Sequence, residues 1–302
     1  MSLARRSSRP IQSAKWASGP APESDEIRGR HAFDLFCTPS LSSRRTPDHE
    51  KLVERARFHL RNASHHRFET SVGGIQGYIF DPERPAKATV LLLHGWSGEA
   101  AFMGAFADYL RRRHYRAVLI DMPAHGRSEG DTASLFDCSR AALEVAEATG
   151  PVRFALGHSV GAMAVLATGE GHGPLPRAYP FEAYVLIAMP DAFIDVTRMF
   201  GAENALSDGA QSVFERKLEA LAQRRLTDFT GTKLLTNVGR PALLMHSRDD
   251  TDVAFTHATS MAMAVGPNVQ LQPFDGLGHR AILYAPPAVR AATQYLDRHV
   301  GL

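Results

Sequence analysis

The most informative segment of this 302-residue chain reads Val152-Arg153-Phe154-Ala155-Leu156-Gly157-His158-Ser159-Val160-Gly161. Its first five residues are mostly apolar and predict a buried strand, and the small residues after Gly161 predict a helix. Between them stands the pattern Gly-x-Ser-x-Gly, which suits a turn so tight that bulky flanking side chains would clash. Such a turn lifts the serine hydroxyl clear of the sheet and places it at a helix N-terminus, where free N–H groups favour a developing negative charge. Ser159 is therefore a candidate nucleophile.

On both sides of this segment the chain alternates between short apolar runs and helical patterns. The runs predict strands at residues 88–93, 117–121, 152–156, 184–189, 241–246 and 269–274. The helical patterns fall at residues 100–113, 134–148, 160–168, 256–265 and 286–299. Upstream, residues 67–80 predict a β-hairpin with a two-residue turn at Gly73-Gly74. Apolar strands that alternate with helices predict an α/β fold, with a mostly parallel central sheet flanked by helices.

The sequence divides into three parts. Residues 1–27 are polar and lack periodicity, so we expect a flexible tail that catalysis does not need. Residues 28–65 predict an N-terminal extension with one helix, which starts at Thr46-Pro47. That helix carries the apolar stripe Leu52, Val53, Ala56 and Leu60, and the residues Phe33, Leu35 and Phe36 before it are expected to dock on the main domain. Residues 66–302 form the α/β domain.

Residues 190–239 interrupt the alternation, because a simple crossover between strands needs far fewer residues. Phe214, Leu218 and Leu221 follow a helical spacing and predict an amphipathic helix in this insert. An insert at this point would lie over the C-terminal edge of the sheet, where open α/β folds bind ligands. We therefore expect a small helical cap over the substrate. The alternative is an extra helix pair that only completes the core.

The composition is that of an ordinary globular protein, with 44% hydrophobic residues, 22% charged residues and a net charge of +2. The basic run at residues 5–9 is short and lacks spaced aromatic residues, so no nucleic-acid partner is expected. No run of about 18 apolar residues predicts a membrane span, and no secretory apolar segment follows the N-terminus. The two cysteines imply no disulfide framework. A cytoplasmic location is expected, and nothing indicates the oligomeric state.

A serine nucleophile needs a base, and the base needs an acid that orients it. Strand 241–246 exits into Ser247-Arg248-Asp249-Asp250-Thr251-Asp252, and strand 269–274 exits into Asp275-Gly276-Leu277-Gly278-His279. Both loops leave the sheet at the edge that carries Ser159. Of the histidines near strand ends, only His279 follows both Ser159 and an acidic exit loop. The others are His94, His125, His158 and His246, of which His94 and His125 are expected to organise loops.

These features resemble the α/β-hydrolase superfamily, in the group of serine esterases, lipases and other acyl hydrolases. The resemblance covers about residues 66–302 and rests on a Gly-x-Ser-x-Gly nucleophile elbow. It rests also on His94-Gly95-Trp96, on Asp121-Met122-Pro123-Ala124-His125-Gly126-Arg127-Ser128, on Asp250 and on Gly278-His279. It implies Ser159 as nucleophile, His279 as base and Asp250 as acid, with the backbone N–H groups of Trp96 and Val160 as the oxyanion hole.

Three other aspartates remain candidates for the acid. Asp249 and Asp252 are neighbours in the same loop, and Asp191 follows strand 184–189. A serine at the elbow argues against dehalogenase and epoxide-hydrolase chemistry, which would use an aspartate there. No histidine pair has a zinc spacing with a third ligand, so neither a metal nor a cofactor is predicted.

The resemblance implies a serine hydrolase, and we expect a carboxylic ester hydrolase for short- to medium-chain acyl esters that works through an acyl-enzyme. The substrate would be a small ester that contacts Trp96, His158, Phe193 and Phe200. One alternative is other chemistry on the same triad, namely hydrolysis of thioesters, amides or carbon–carbon bonds, or perhydrolysis. Another is a ligand-binding protein that retains the fold.

Overall fold

A computed structural model describes residues 24–39, 53–54, 56–171 and 173–301 of the chain. Its centre is an eight-stranded sheet with the order β1-β2-β4-β3-β5-β6-β7-β8. The strands are β1 (Ser64–Thr70), β2 (Gly73–Phe80), β3 (Thr89–Leu93), β4 (Arg116–Ile120), β5 (Val152–His158), β6 (Ala183–Ile187), β7 (Ala242–Ser247) and β8 (Val269–Phe274). Strand β2 runs antiparallel to β1 and β4, and the remaining pairs are parallel. The predicted α/β class with a mostly parallel sheet is confirmed.

Helices cover both faces of this sheet. Those within the described residues are α1 (Asp25–Phe36), α2 (Gly104–Arg112), α3 (Leu135–Ala148), α4 (Val160–Glu170), α5 (Phe193–Glu203), α6 (Asp208–Ala222), α7 (Gly231–Val238), α8 (Phe255–Val265), α9 (Gly278–Ala281) and α10 (Pro286–Asp297). Residues 53–54 and 56–59 are helical as well, and Leu60–Asn62 continues them as a 3₁₀ turn. The predicted helix start at Thr46-Pro47 lies outside the described residues.

The apolar strands are buried on both faces, as their continuous apolar sequences predict. In β3, the side chains of Val90 and Leu92 lie in one apolar cluster, and those of Leu91 and Leu93 lie in the other. Helices α2 and α10 close the first cluster, and α3 and α4 close the second. Within the described part of the chain, no helix is long and apolar enough to span a bilayer.

The β1–β2 hairpin turns earlier than the sequence predicts. Thr70 pairs with Gly73, so the turn consists of Ser71 and Val72, and the predicted turn at Gly73-Gly74 is wrong. The Thr70 hydroxyl donates to the Gly73 carbonyl at 2.6 Å and accepts from Val72 N–H at 3.3 Å, which stabilises the earlier turn. The glycine Gly74 instead lies beneath Arg67, because a Cβ there would stand 1.8 Å from Arg67 Nη2.

Helix α1 is an element that the sequence patterns did not reveal. It begins inside the predicted tail, of which residues 1–23 lie outside the described residues. The Ser24 hydroxyl caps it by accepting from Ile27 N–H at 3.4 Å. The helix packs against α6 at small residues, since a Cβ on Gly29 would stand 2.4 Å from Val213 Cβ. Phe36, at its end, packs edge-on against Phe193, Phe200 and Phe214, and we call these four residues the aromatic cluster.

The insert at residues 190–239 contains three α-helices, α5 to α7, and the predicted amphipathic helix is α6. Phe214 and Leu218 are buried as predicted, but Leu221 is 40% exposed because Ala222 occupies the buried position. Glu170, at the end of α4, connects this helix to the insert through hydrogen bonds. Its buried carboxylate accepts from Arg224 at 2.7 Å and from Asn237 at 2.6 Å.

Candidate active site

The turn between β5 and α4 consists of Ser159 alone, because β5 ends at His158 and α4 begins at Val160. Ser159 has φ 54° and ψ −122°, a conformation that residues with a side chain rarely adopt. Its N–H donates to the Ile187 carbonyl of β6 at 2.8 Å, which holds the strained backbone to the neighbouring strand. The predicted strand–turn–helix geometry around this serine is confirmed.

The two glycines of the pattern are required by close contacts. A Cβ on Gly157 would stand 2.5 Å from Ala162 Cα, in the first turn of α4. A Cβ on Gly161 would stand 2.2 Å from the His94 carbonyl oxygen, in the loop after β3. Both distances are shorter than any real side-chain contact, so this backbone path excludes larger residues at either position.

His279 and Asp250 meet at the same edge of the sheet. His279 Nδ1 lies 2.8 Å from Asp250 Oδ2, and Oδ1 of the same carboxylate accepts from the N–H groups of Asp252 and Val253 at 2.9 Å each. Burial alone would raise the pKa of the Asp250 carboxyl, but hydrogen bonds from His246, His279 and Val253 outweigh burial and hold the pKa below its usual range. An ionised carboxylate only accepts, so Nδ1 of His279 carries a proton, and in the neutral form of this ring Nε2 has the lone pair.

The other three aspartates of the sequence analysis have different partners. Asp249 Oδ1 accepts from the Ser247 hydroxyl at 2.5 Å and from Gly276 N–H at 2.8 Å. Asp252 lies 3.9 Å from the Arg280 guanidinium. Asp191 Oδ1 caps α7 by accepting from Thr232 N–H at 2.8 Å. Of these four carboxylates, all within the described residues, only that of Asp250 is hydrogen bonded to His279.

The hydroxyl of Ser159 is not hydrogen bonded to His279. Within the described ranges, the side-chain and backbone hydrogen bonds of His279 outside its own helix lead to Asp250 and His158. The serine–histidine contact of a hydrolase is often long in the free enzyme and tightens when substrate binds. The structure thus brings the candidate base and acid into contact, and the candidate nucleophile is not hydrogen bonded to the base.

Two backbone N–H groups near Ser159 have no hydrogen-bond acceptor among the described residues. Neither Trp96 N–H nor Val160 N–H donates a hydrogen bond to another group in the described part of the chain. The loop that carries Trp96 lies against the elbow, because a Cβ on Gly95 would stand 3.3 Å from Ser159 Cβ. Free donors on both sides of a serine can stabilise an oxyanion that forms there.

Two neutral histidines shape this loop. His94 accepts from Met122 N–H at 3.0 Å through Nε2 and donates through Nδ1 to the Gly95 carbonyl at 2.8 Å. His125 accepts from Ser97 N–H at 3.1 Å and donates to the Pro123 carbonyl at 2.8 Å. Burial lowers the pKa of His125 to about 4 and lowers the pKa of His94 far below its usual value. Both rings are neutral in this arrangement, which agrees with their predicted role as loop organisers.

Residues 90–292, more than half of the chain, match the model of the Alpha/beta hydrolase family. The chain belongs to this family. A search of curated proteins finds no match to the sequence.

Solved structures of esterases and other hydrolases share the fold. Est1E from Butyrivibrio proteoclasticus, solved with bound ferulic acid, is 16% identical with a TM-score of 0.62, and the match covers 78% of this chain and 100% of that one. An esterase from Pyrococcus furiosus is 19% identical with a TM-score of 0.59, over 86% of this chain and 98% of that one. A serine hydrolase from the polyaromatic hydrocarbon-degrading bacterium Cycloclasticus zankles is 16% identical with a TM-score of 0.57, over 78% and 98%. At these identities the likeness shows the fold alone.

The candidate substrate contacts of this α/β-hydrolase have partners inside the protein. Phe193 is 2% exposed and contacts Phe36 and Phe229, so its ring is packed into the aromatic cluster rather than left open to a ligand. Phe200 is half-buried against Phe36 and Phe214. The sequence patterns missed these contacts because they missed α1, which supplies Phe36. Trp96 is half-buried, and its ring packs edge-on against His125 at 4.9 Å between centroids.

The insert begins close to the elbow, because Ser159 N–H donates to the carbonyl of Ile187, three residues before residue 190. Phe193, Phe214 and Phe229 belong to the same extended apolar cluster against which the half-buried Trp96 and Val160 pack. The predicted cap over the substrate stays a prediction.

Two further histidines near strand ends, His158 and His246, make contacts at the site that the sequence analysis did not predict. His158, a candidate substrate contact, is buried instead, and its Nε2 lies 2.9 Å from the His279 carbonyl oxygen. His246 is 1% exposed, with Nε2 at 2.8 Å from the Val253 carbonyl and 3.3 Å from Asp250 Oδ2. The four-residue spacing of His246 and Asp250 is the sequence signal that could have predicted the contact between these two side chains. No group of three or more His, Cys, Asp or Glu side chains within the described residues is arranged to hold a metal ion.

Proposed function

We propose that this α/β-hydrolase cleaves carboxylic esters through Ser159, His279 and Asp250 by way of an acyl-enzyme. The observation that supports this best is the His279–Asp250 contact of 2.8 Å at the edge of the sheet that carries Ser159. That contact fixes the tautomer in which His279 Nε2 can accept a proton. Family membership and the esterases among the structural neighbours point in the same direction.

In the acylation step, Ser159 Oγ attacks the ester carbonyl carbon while its proton passes to His279 Nε2. The new imidazolium is stabilised by the Asp250 carboxylate, which stays ionised because its other oxygen is held by two backbone N–H groups. The tetrahedral intermediate then collapses. Its carbon–oxygen bond to the alcohol breaks, and the alcohol leaves with the proton from His279.

Water reverses the sequence on the acyl-enzyme, with His279 as base toward water and then as acid toward Ser159 Oγ. In both halves the negative oxygen would lie between the N–H groups of Trp96 and Val160. Each such donor contributes about 3 kcal/mol to the transition state in enzymes where one has been removed. Because both N–H groups lack an acceptor within the described residues, no internal hydrogen bond has to break first.

Replacement of the nucleophile tests the proposal. We expect Ser159→Ala to lower kcat for p-nitrophenyl butyrate by at least about 10⁴-fold while circular dichroism stays unchanged. A fluorophosphonate should label the native protein, and mass spectrometry should locate the label on the tryptic peptide of residues 154–177. The matched control is Ser212→Ala, an exposed helix residue, which should keep both activity and labelling. Labelling that persists in Ser159→Ala would overturn the assignment.

The same assay separates ester hydrolysis from the alternative functions. We expect kcat/KM for the butyrate ester to exceed that for a thioester or an anilide of the same acid. A preference for the thioester or anilide would move the proposal to another reaction of the same triad. A ligand-binding protein would release no more than one equivalent of p-nitrophenol.

We also propose that the insert limits the substrate to short- and medium-chain acyl groups. Each methylene held in an apolar pocket adds up to about 0.8 kcal/mol, or about fourfold, until the pocket is full. Activity on p-nitrophenyl esters should therefore rise over the first few carbons and then fall. Phe200→Ala opens space in the aromatic cluster and should therefore move the optimum to longer chains, whereas Met199→Ala, 51% exposed on the same helix, should not. Activity that keeps climbing into long-chain emulsions would contradict this preference.

A further inference from the structure

His158 touches three parts of the candidate site at once. It immediately precedes Ser159 in the chain, and its ring is only 5% exposed. On one side its ring centroid lies 4.7 Å from that of His279, and its Nε2 lies 2.9 Å from the His279 carbonyl oxygen. On the other side, a Cβ added to Gly95 would stand 2.7 Å from His158 Nδ1. The ring thus fills the space between the loop of the base and the loop of the oxyanion hole.

The hydrogen bond fixes the state of this ring. A carbonyl oxygen only accepts, so His158 must carry its proton on Nε2 and donate it. Burial first, and the neighbouring charge of His279 second, lower the pKa of His158 to about 3. The ring is therefore neutral at any ordinary pH, and the hydrogen bond persists when His279 gains a proton during a reaction.

Two hydrogen bonds hold the backbone just before His279 to the end of β7 and its exit loop. Gly276 N–H donates to Asp249 Oδ1 at 2.8 Å, and Leu277 N–H donates to the Ser247 hydroxyl at 3.2 Å. His279 lies beyond these bonds, after Gly278 at φ 53° and in a helix of four residues, and its own carbonyl bonds to His158 at 2.9 Å. Reacting groups that are misplaced by about 1 Å can lose about 10²-fold in rate, so a contact at His279 itself can set the position of the base.

We propose that His158 is a positioning residue, whose Nε2–H holds the His279 main chain at a set distance from Ser159. Because His158 and Ser159 are consecutive residues, the hydrogen bond ties the base to the nucleophile through one peptide unit. The inference rests on the proposed function, since it assigns His279 as the base. It replaces the substrate contact that the sequence suggests for His158 with an internal one.

Two substitutions separate this role from simple packing. His158→Leu keeps the volume and removes the donor, and we expect kcat for p-nitrophenyl butyrate to fall about 10- to 100-fold with KM within about twofold of the native value. His158→Gln keeps an N–H donor at a similar reach and should recover most of kcat. If His158→Leu does not fold, His158→Asn serves in its place, because its amide is too short to reach the carbonyl.

Proton NMR supplies the second readout. The native protein should show a downfield signal from His279 Nδ1–H, bonded to Asp250, and His279→Ala should lack it. We expect this signal to broaden in His158→Leu and to stay sharp in His158→Gln. A His158→Leu variant with native kcat and a sharp signal would overturn the positioning role, provided that Ser159→Ala and His279→Ala are inactive. If either of those two variants keeps full activity, the proposed function fails, and this inference fails with it.

Discussion

At Asp250, the two carboxylate oxygens serve different parts of the molecule. Oδ1 accepts from two successive backbone N–H groups and so closes the loop that leaves β7. Oδ2 faces His279 at 2.8 Å and the buried His246 at 3.3 Å. An amide at this position would present a donor to one of these partners, all of which are themselves donors. The carboxylate is therefore matched to its surroundings on both sides.

We expect Asp250→Asn to lower kcat for p-nitrophenyl butyrate by about 10³- to 10⁴-fold, because the imidazole loses both its tautomer and its charge partner. Asp191→Asn is the matched control, since Asp191 also caps a backbone segment near the sheet edge but has no contact with His279. Steady-state kinetics of the two purified variants gives the comparison. If Asp191→Asn is the more damaging change, the acid is Asp191.

The residues of the elbow could be predicted because the tight turn leaves a short sequence pattern. Gly157 is required by Ala162 in the first turn of α4 and Gly161 by the His94 carbonyl in the loop after β3, but both glycines lie two residues from Ser159 and are read together with it. The role of His158 leaves no such pattern. Its partner His279 lies 121 positions further along the chain, and only the folded sheet edge brings the two together. For the same reason, sequence alone left the acid open among four aspartates.

Among the elements, the buried strands of the sheet were the easiest to predict and helix α1 the hardest. Strands buried on both faces must be apolar throughout, so β3 to β7 are visible in the sequence. Helix α1 buries Gly29 and Ala32, which carry little apolar surface, so the buried face of this helix leaves only a weak apolar periodicity in the sequence. Its partner α6 lies far away in the sequence, within the insert. The hairpin turn was misplaced because a threonine, rather than a glycine pair, stabilises it.

Truncation tests what α1 contributes. The sequence predicts that residues 1–27 are dispensable for catalysis, and the Ser24 cap of α1 moves the safe cut to residue 23. We expect removal of residues 1–23 to leave kcat/KM for p-nitrophenyl butyrate within about threefold. Removal of residues 1–36 should lower the thermal midpoint by at least about 5 °C, because the aromatic cluster loses Phe36.

Point variants provide the control for this deletion. Phe36→Ala should reproduce much of the loss, and Ile27→Ala, 46% exposed on the same helix, should not. Differential scanning fluorimetry measures the thermal midpoints of the two truncated proteins and of the two point variants. An unchanged midpoint after removal of residues 1–36 would show that the main domain does not need α1.

Over the whole molecule, the candidate site concentrates buried histidines that cannot easily gain a proton. His94, His125 and His158 lie around the elbow and the loop after β3, and each uses one ring nitrogen to donate to a carbonyl. Protonation would create a positive charge in a buried position that water does not reach. In His94 and His125 it would also place a second N–H donor against a backbone N–H. These three positions therefore favour neutral rings, and the free energy of unfolding depends on pH.

We expect the free energy of unfolding to fall steeply as the pH drops from 6.5 to 4.5. Burial lowers the pKa of His125 to about 4, of His158 to about 3 and of His94 far below 6.5, so these three residues bind protons in the unfolded chain first. Their stabilisation is present above pH 6.5 and is lost as the pH falls. Asp121 acts in the opposite sense, because burial raises its pKa to about 6 and the folded state binds its proton first.

Near pH 5 the unfolded chain then holds about two protons more than the folded one, which corresponds to about 3 kcal/mol per pH unit. Urea unfolding followed by circular dichroism at pH 7, 6 and 5 measures this slope, and His125→Gln should reduce it by about one proton. A free energy of unfolding that stays constant between pH 7 and pH 5 would show that these rings are protonated in the folded protein.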